Sequence, residues 1–342
     1  MYETVCAIHA HSTYSDGSGT VPEISEAARA AGVDVLILTD HNTLDARRFG
    51  FEGWHEDLLL IVGDEVSSRS GHCIALDIDR HVEHRQSLQG ILSDIRDQEG
   101  DAYIAHPFGK YRPLHKMRNH SWRDWAATDF TGLELWSYMF DWVSGFHYSR
   151  FPSYYRHPDR KLRGPDAQTI TKWDELCQQR RVVAFGGVDA HARKHFGLPF
   201  VVFPYESLFR TIRTHLVTTD ALAGVSSDIA TVLESLRNGK AFLANDKTAD
   251  SSGTTFTTDS GLTFGDEAPF TSTLRIHAEV PTKADLTLVK DGVPVVQEQS
   301  KSLTYKADRP GVYRLEARLS GRPWLFTNPI YLRPFDPEQE RK

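Results

Sequence analysis

Three cysteines, Cys6, Cys73 and Cys177, are too few to staple a chain of 342 residues, which excludes a disulfide-framed secreted scaffold. No apolar run approaches the roughly 18 residues that span a bilayer. The longest, 58–62, has the length of a buried strand. No basic, apolar leader stands before the first strand-like run. Basic charge is not in excess either: the formal net charge is −7, whereas a general nucleic-acid binder needs a basic face. Gly-x-Ser-x-Gly is missing, so no serine nucleophile elbow is expected. No internal repeat is visible. These absences together predict a cytoplasmic protein acting on a small molecule, with neither nucleic acid nor membrane as partner.

What remains is an ordinary globular composition, 40% hydrophobic and 25% charged, with length enough for one large domain or two. Two features are uneven. Of 16 histidines, 15 lie at or before His215. The segment 107–163 carries ten Lys/Arg against five Asp/Glu, and 14 of the 37 aromatic residues.

Short β-rich runs alternate with helical patterns in the N-terminal part. Strands are expected at 5–8, 33–38, 58–62, 73–76, 102–105, 132–136 and 182–185. Thr20 and Glu23 read as a capping box, with Pro22 in the first turn and Gly32 just past a helix end at Ala31. Strand, helix, strand in succession predicts parallel pairing, and seven such strands predict a barrel. The run 201–203 and a helix over 229–237, stopped by Asn238-Gly239, close this domain, expected over 1–247 with an insert at 107–165. Residues 248–258, rich in Ser, Thr, Asp and Gly, read as a linker. Residues 259–335 show short alternating runs and a Lys290-Asp291-Gly292 hairpin signal, which predicts a small antiparallel β-domain, and 336–342 is a polar tail. The fold class expected is α/β: an irregular parallel barrel followed by a β-sandwich-like unit.

Six segments place metal-ligand residues beside these strands: His9-Ala10-His11 with Asp16, Thr39-Asp40-His41, Gly63-Asp64-Glu65, Gly71-His72, Ala105-His106-Pro107, and Asp189-Ala190-His191. A His-x-His pair on a strand presents both rings to one face, because the strand period is two. In a parallel barrel the C-terminal strand ends converge on one mouth. Alone, each piece is ordinary: a single His-x-His, a loop Asp-His, a solvated Glu65 or a turn at His106-Pro107. In this order beside successive strands they make a candidate site. His9, His11, Asp16, His41, Glu65, His72, His106, Asp189 and His191 are more ligands than one ion needs. Imidazole with carboxylate suits Zn, Mn or Fe, in two or three divalent ions sharing bridging carboxylates. His72 is the odd member, since it precedes its strand. Glu134, on another strand, is either a supporting acid or a surface charge.

The motifs resemble the PHP (polymerase and histidinol phosphatase) superfamily, and the run 236–242 with the terminal 326–331 resembles its CehA/McbA-type branch. The resemblance implies a distorted (β/α)7 barrel with up to three metals. It assigns one ion to His9, His11, Glu65 and Asp189, a second to Glu65, His72 and His106, and a third to Asp16, His41 and His191. It also implies phosphoester hydrolysis by activated water, with Glu65, Asp189 and His191 as catalytic residues. Carboxyl-ester or carbamate hydrolysis at the same centre is the alternative. Cations near the motifs, Lys110, Arg112, Arg193 and Lys194, are candidates for a substrate phosphate. A classical amidohydrolase would show a strand-end lysine, and none is found. A cupin would be all-β. A metal-free binding module would not keep nine ligand positions filled. The C-terminal β-domain leaves homo-oligomer formation open.

Overall fold

The computed structural model describes residues 1–109, 120–146, 151–194 and 201–335, and all seven expected strands are among them. The strands are β1 (Tyr2–Ala10), β2 (Val35–His41), β3 (Gly53–His55), β4 (Leu58–Ser68), β5 (Gly71–Leu76), β6 (Asp101–Ile104), β7 (Gly132–Ser137) and β8 (Val183–Gly187), with β3 an extra short flap on β4. The helices are α1 (Val21–Ala30), α2 (Asp45–Arg48), α3 (Leu88–Arg96), α4 (Tyr138–Gly145), α5 (Phe151–Arg156), α6 (Ala167–Gln179), α7 (Tyr205–Phe209) and α8 (Asp228–Arg237). Helix α1 opens as expected: the Glu23 carboxylate accepts the Thr20 backbone N–H at 2.8 Å, and Gly32 follows at φ +70°.

The order around the barrel is β1-β2-β4-β5-β6-β7-β8. It closes where the chain after β8 returns to β1: Val188 N–H donates to Ile8 O at 3.0 Å and His11 N–H to Ala190 O at 2.9 Å. Pairing is not parallel throughout. Strand β5 runs antiparallel to both β4 and β6. Only Arg69 and Ser70 separate β4 from β5, far too few residues for the crossover that a parallel connection requires. The barrel strands are buried on both faces, and alternate residues feed two clusters. Cys6, Ile8, Val35, Ile37, Ile61 and Phe185 belong to one, against which α8 packs; Ala7, Leu36, Leu38, Leu60 and Val62 belong to the other, beneath α1 and α3. That double burial explains why these strands read as continuous apolar runs.

Beyond the barrel, Val201 makes an isolated bridge to Lys194 rather than a strand. Strand β9 (Ile212–Thr218) then pairs antiparallel with the first half of β1 and with β10 (Ala241–Asn245). Strand β10 also pairs with β16, so the sheet runs from the barrel into the C-terminal strands without a break. These are β11 (Thr255–Thr258), β12 (Glu267–Phe270), β13 (Leu274–Lys290), β14 (Val293–Ala307), β15 (Gly311–Leu319), β16 (Arg322–Thr327) and β17 (Ile330–Pro334). Asp291 and Gly292, both at positive φ, make the tight turn between β13 and β14. A separate apolar cluster, including Phe256, Leu286, Leu315, Trp324 and Leu332, fills this region.

Several contacts tie it to the barrel, three of them through buried groups. Asn328 exchanges two 2.8 Å hydrogen bonds with the backbone of Ala184 on β8. The Tyr331 hydroxyl accepts from Val182 N–H at 3.2 Å. Arg314 grips both oxygens of Asp174 on α6, at 2.7 and 2.8 Å.

A further tie is ionisable. His215 on β9 is buried between Glu3 on β1, at 2.7 Å, and Asp246, at 3.0 Å. Burial opposes its charge, but hydrogen bonds and attraction from these two carboxylates outweigh it and raise its pKa to about 9. The unfolded value is near 6.5. The contribution is therefore complete below about pH 6.5 and fades as pH rises through about 9, a loss on the order of 3 kcal/mol. Urea denaturation from pH 6 to 10 should show this decline in the wild type and a flatter profile in His215→Gln. Parallel profiles would refute the clamp.

Candidate metal centre

The antiparallel β5 resolves the position of His72. Because β5 runs against β4, its first residues lie at the end of the barrel where β1, β2 and β4 finish, and His72 pairs directly with Ser67. His41 and Glu65 are likewise neighbours across β2 and β4. His9, His106 and Asp189 sit at φ +73°, +30° and +51°, a backbone region costly for non-glycine residues. Such strain is concentrated at functional positions, and here it turns three side chains into one space. The nine expected residues all come together there.

Four donor atoms define the innermost cluster. His9 Nε2 stands 3.3 Å from Glu65 Oε2 and 3.5 Å from Asp189 Oδ1, and His11 Nε2 stands 3.3 Å from each. These separations are long for hydrogen bonds, and His9 Nε2, His11 Nε2 and Glu65 Oε2 are buried without a hydrogen-bond partner. A tetrahedron with metal–ligand bonds of about 2.1 Å has edges of about 3.4 Å. The spacing fits a divalent cation held by two imidazoles and two carboxylates.

Two further groups flank it. The other oxygen of Glu65, Oε1, faces His72 Nδ1 at 2.8 Å and His106 Nε2 at 3.1 Å, while His41 Nδ1 lies 2.9 Å from Oε2. Asp16 Oδ1 faces His191 Nε2 at 2.9 Å and His41 Nε2 at 3.6 Å, with His11 nearby. The two oxygens of Glu65 thus address different groups, the geometry of a bridging carboxylate.

The charge state matches. Burial pushes Glu65 toward neutrality, but His41, His9 and His72 outweigh it and hold its pKa well below the usual range. Asp189 is held low in the same way, against burial, by His9 and His191. Reciprocally, burial disfavours a charged His9, yet Glu134, Glu65 and Asp189 raise its pKa well above normal. The pocket attracts positive charge, and protons and divalent cations compete for it.

Residues 7–153 match the family model described as the PHP domain. The matched segment is less than half of the chain. Asp189 and His191 lie beyond the matched segment. The chain is also similar to an uncharacterised protein of Methanocaldococcus jannaschii, 24% identical over 149 residues that cover 38% of this chain and 80% of that one. Among solved structures it is similar to a two-domain protein containing a predicted PHP-like metal-dependent phosphoesterase from Bacteroides vulgatus (14% identical, 96% of this chain and 95% of that chain, TM-score 0.45). It is also similar to an amidohydrolase from Chromobacterium violaceum (19% identical, 59% of this chain and 95% of that chain, TM-score 0.32).

Around the cluster stands a ring of supporting groups. Glu134 is buried, not a surface charge: Oε1 meets His9 Nδ1 at 3.1 Å and Oε2 accepts the His106 backbone N–H at 2.8 Å. Gly187 makes room for it, since a Cβ there would fall 2.2 Å from Glu134 Oε1. Asp40 accepts from Ser12 N–H at 2.7 Å and from the Ser15 hydroxyl at 2.6 Å, fixing the loop that carries Asp16. Ser67 Oγ lies 2.7 Å from His41 Nδ1. Ser67 was detectable as the residue two past Glu65 on the same strand face; it was not singled out because a lone serine carries no signal.

His120 belongs to no sequence motif, and only the fold brings it to the cluster. Its Nδ1 lies 2.9 Å from His72 Nε2, opposite the nitrogen that faces Glu65. Burial, then the neighbouring His72 and His106, lower its pKa to about 4, so it is neutral at pH 7 and can accept the His72 N–H. The substrate-binding candidates are less unified. Lys110 and Arg112 lie outside the described residues. Arg193 is committed to Asp16, pairing with its carboxylate and donating Nε–H to its backbone oxygen at 2.6 Å. Lys194 is exposed.

Loss of an orienting partner typically costs about 10–100-fold in metal affinity. Calorimetric Mn2+ titration should show one binding step weakened by that factor in His120→Ala and less in His120→Gln, with the unfolding midpoint unchanged. Identical isotherms would remove His120 from the centre.

Proposed function

We propose that this chain is a metal-dependent phosphoesterase that hydrolyses a small phosphate ester. The observation that supports it is the convergence of nine imidazole and carboxylate side chains on one barrel mouth, where His9 Nε2, His11 Nε2 and Glu65 Oε2 are buried at ligand spacing without hydrogen-bond partners. In this reading His9, His11, Glu65 and Asp189 hold one ion, Glu65 with His72 and His106 a second, and Asp16, His41 and His191 a third. Bound divalent ions (Zn, Mn or Fe) would supply Lewis-acid polarisation of the ester and acidify water.

The protein's own residues do the rest. Glu65 and Asp189 stay ionised and set the charge of the centre, while His191 faces outward beside Asp16 where substrate enters. Arg193 joins phosphate recognition by leaving Asp16, and Lys194 by direct charge attraction. Lys110 and Arg112 are retained as candidates from the insert. Phe140, stacked on His106 at 4.1 Å, offers an apolar wall for the leaving group. That wall also favours the second reading, a carboxyl-ester or carbamate hydrolase, because aryl leaving groups suit it equally.

Elemental analysis paired with p-nitrophenyl phosphate and p-nitrophenyl acetate separates the readings. Phosphate-ester turnover should dominate, vanish with chelator and return with metal; Glu65→Gln should lower kcat by at least about 100-fold with loss of bound metal. Preferential acetate hydrolysis would favour the second reading, and a protein that takes up no metal would end both.

Metal affinity should also depend on pH. Burial opposes a charged His41, but Glu65, Asp16 and Asp189 raise its pKa to about 9. Protons therefore compete below that value, and the apparent affinity should rise steadily from pH 6 to 9 with proton release on binding. A pH-independent Kd would contradict the ligand set.

A further inference from the structure

Five cations surround a cleft of about 390 Å³ where the insert meets the C-terminal strands. Arg160, Lys161 and Arg163 come from the segment after α5, and Arg318 and Arg322 from the β15–β16 hairpin. The two walls touch: Arg322 Nη1 donates to Arg160 O at 3.5 Å, and Gly164, at φ +105°, lies so close to Pro323 that a Cβ would come within 2.5 Å of its ring. Among the described residues no acidic side chain lines the cleft, and none of the five cations forms an ion pair.

That is unusual for this chain, which has 46 Asp/Glu against 39 Lys/Arg. Many guanidinium groups elsewhere find carboxylates, as Arg29 does with Asp57, Arg96 with Asp129, Arg237 with Asp101 and Arg333 with Glu267, and those that do not, such as Arg180 over Phe130, are not gathered around one cleft. Like charges carried on two touching elements repel each other, and a multivalent anion between them reverses the sign of that interaction. Four of the five are arginines, whose planar forks match phosphate oxygens two at a time.

We infer that this cleft binds a small molecule carrying two or more adjacent phosphate groups. The site shares no residue with the metal clusters and stands whether or not they turn over an ester. A bound anion would tie the insert to the C-terminal hairpin, and so the element that follows β7, the strand of Glu134, to the region that anchors β8.

Inorganic pyrophosphate is the probe, titrated by calorimetry into the full-length protein as purified and into an Arg318→Ala/Arg322→Ala variant. Both changes are at exposed side chains. Binding of pyrophosphate at the metal centre is common to both proteins and cancels in the comparison. The wild type should show a binding event whose Kd rises at least about tenfold in the double variant and weakens with added salt, with ester hydrolysis unchanged. Arg163→Ala, on the opposite wall, should weaken the same event and guards against a folding defect in the first variant. Absence of binding by the wild type, equal affinity in all three proteins, or equal affinity for sulfate would each overturn the inference.

Discussion

A carboxylate with no access to water has to be met by positive charge. Glu65 is at 0% exposure, near the C-terminal end of β4, and everything around it answers that requirement. Imidazoles from β1, β2, β5 and the end of β6 approach its two oxygens from different sides. Asp189, also buried, adds a second negative charge to the same space. In a solvated loop these groups would be an unremarkable set of polar residues; burial is what makes them cation-seeking.

Holding such a charged set together is the business of residues that stand behind it. Glu134 orients His9 and fixes the backbone at His106. Asp40 gathers the loop before Asp16, and Ser67 and His120 contact His41 and His72. Each supplies a hydrogen-bond partner to a ring or backbone group of the cluster and so limits the directions its donor atoms can take. The positive φ angles at His9, His106 and Asp189 show that the backbone itself bends to the same end.

The C-terminal strands bear on this centre through β8. Asn328 completes the hydrogen bonding of Ala184, and Tyr331 that of Val182, only a few residues before Asp189 and His191. Because β10 pairs with both β9 and β16, the region is continuous with the barrel sheet rather than appended to it. The 290–292 turn was legible from local chemistry; this sheet continuity was not, since no residue of β10 advertises two partners.

The seven barrel strands and the residues that converge on the mouth were readable from the sequence alone, because both depend on local signals: apolar runs of strand length, and histidine and acid beside them. Antiparallel β5 was readable in part, from the two residues before it, yet its consequence for His72 needed the sheet. Glu134 could be named but not placed, as a lone acid on a strand looks the same whether it points inward or out. His120 and the basic cleft carried no signal, because each is made by segments distant in the chain. Local composition determines what elements form and which chemistry they carry. Packing of strands against one another alone decides which charges are buried together, and burial is what sets their strength.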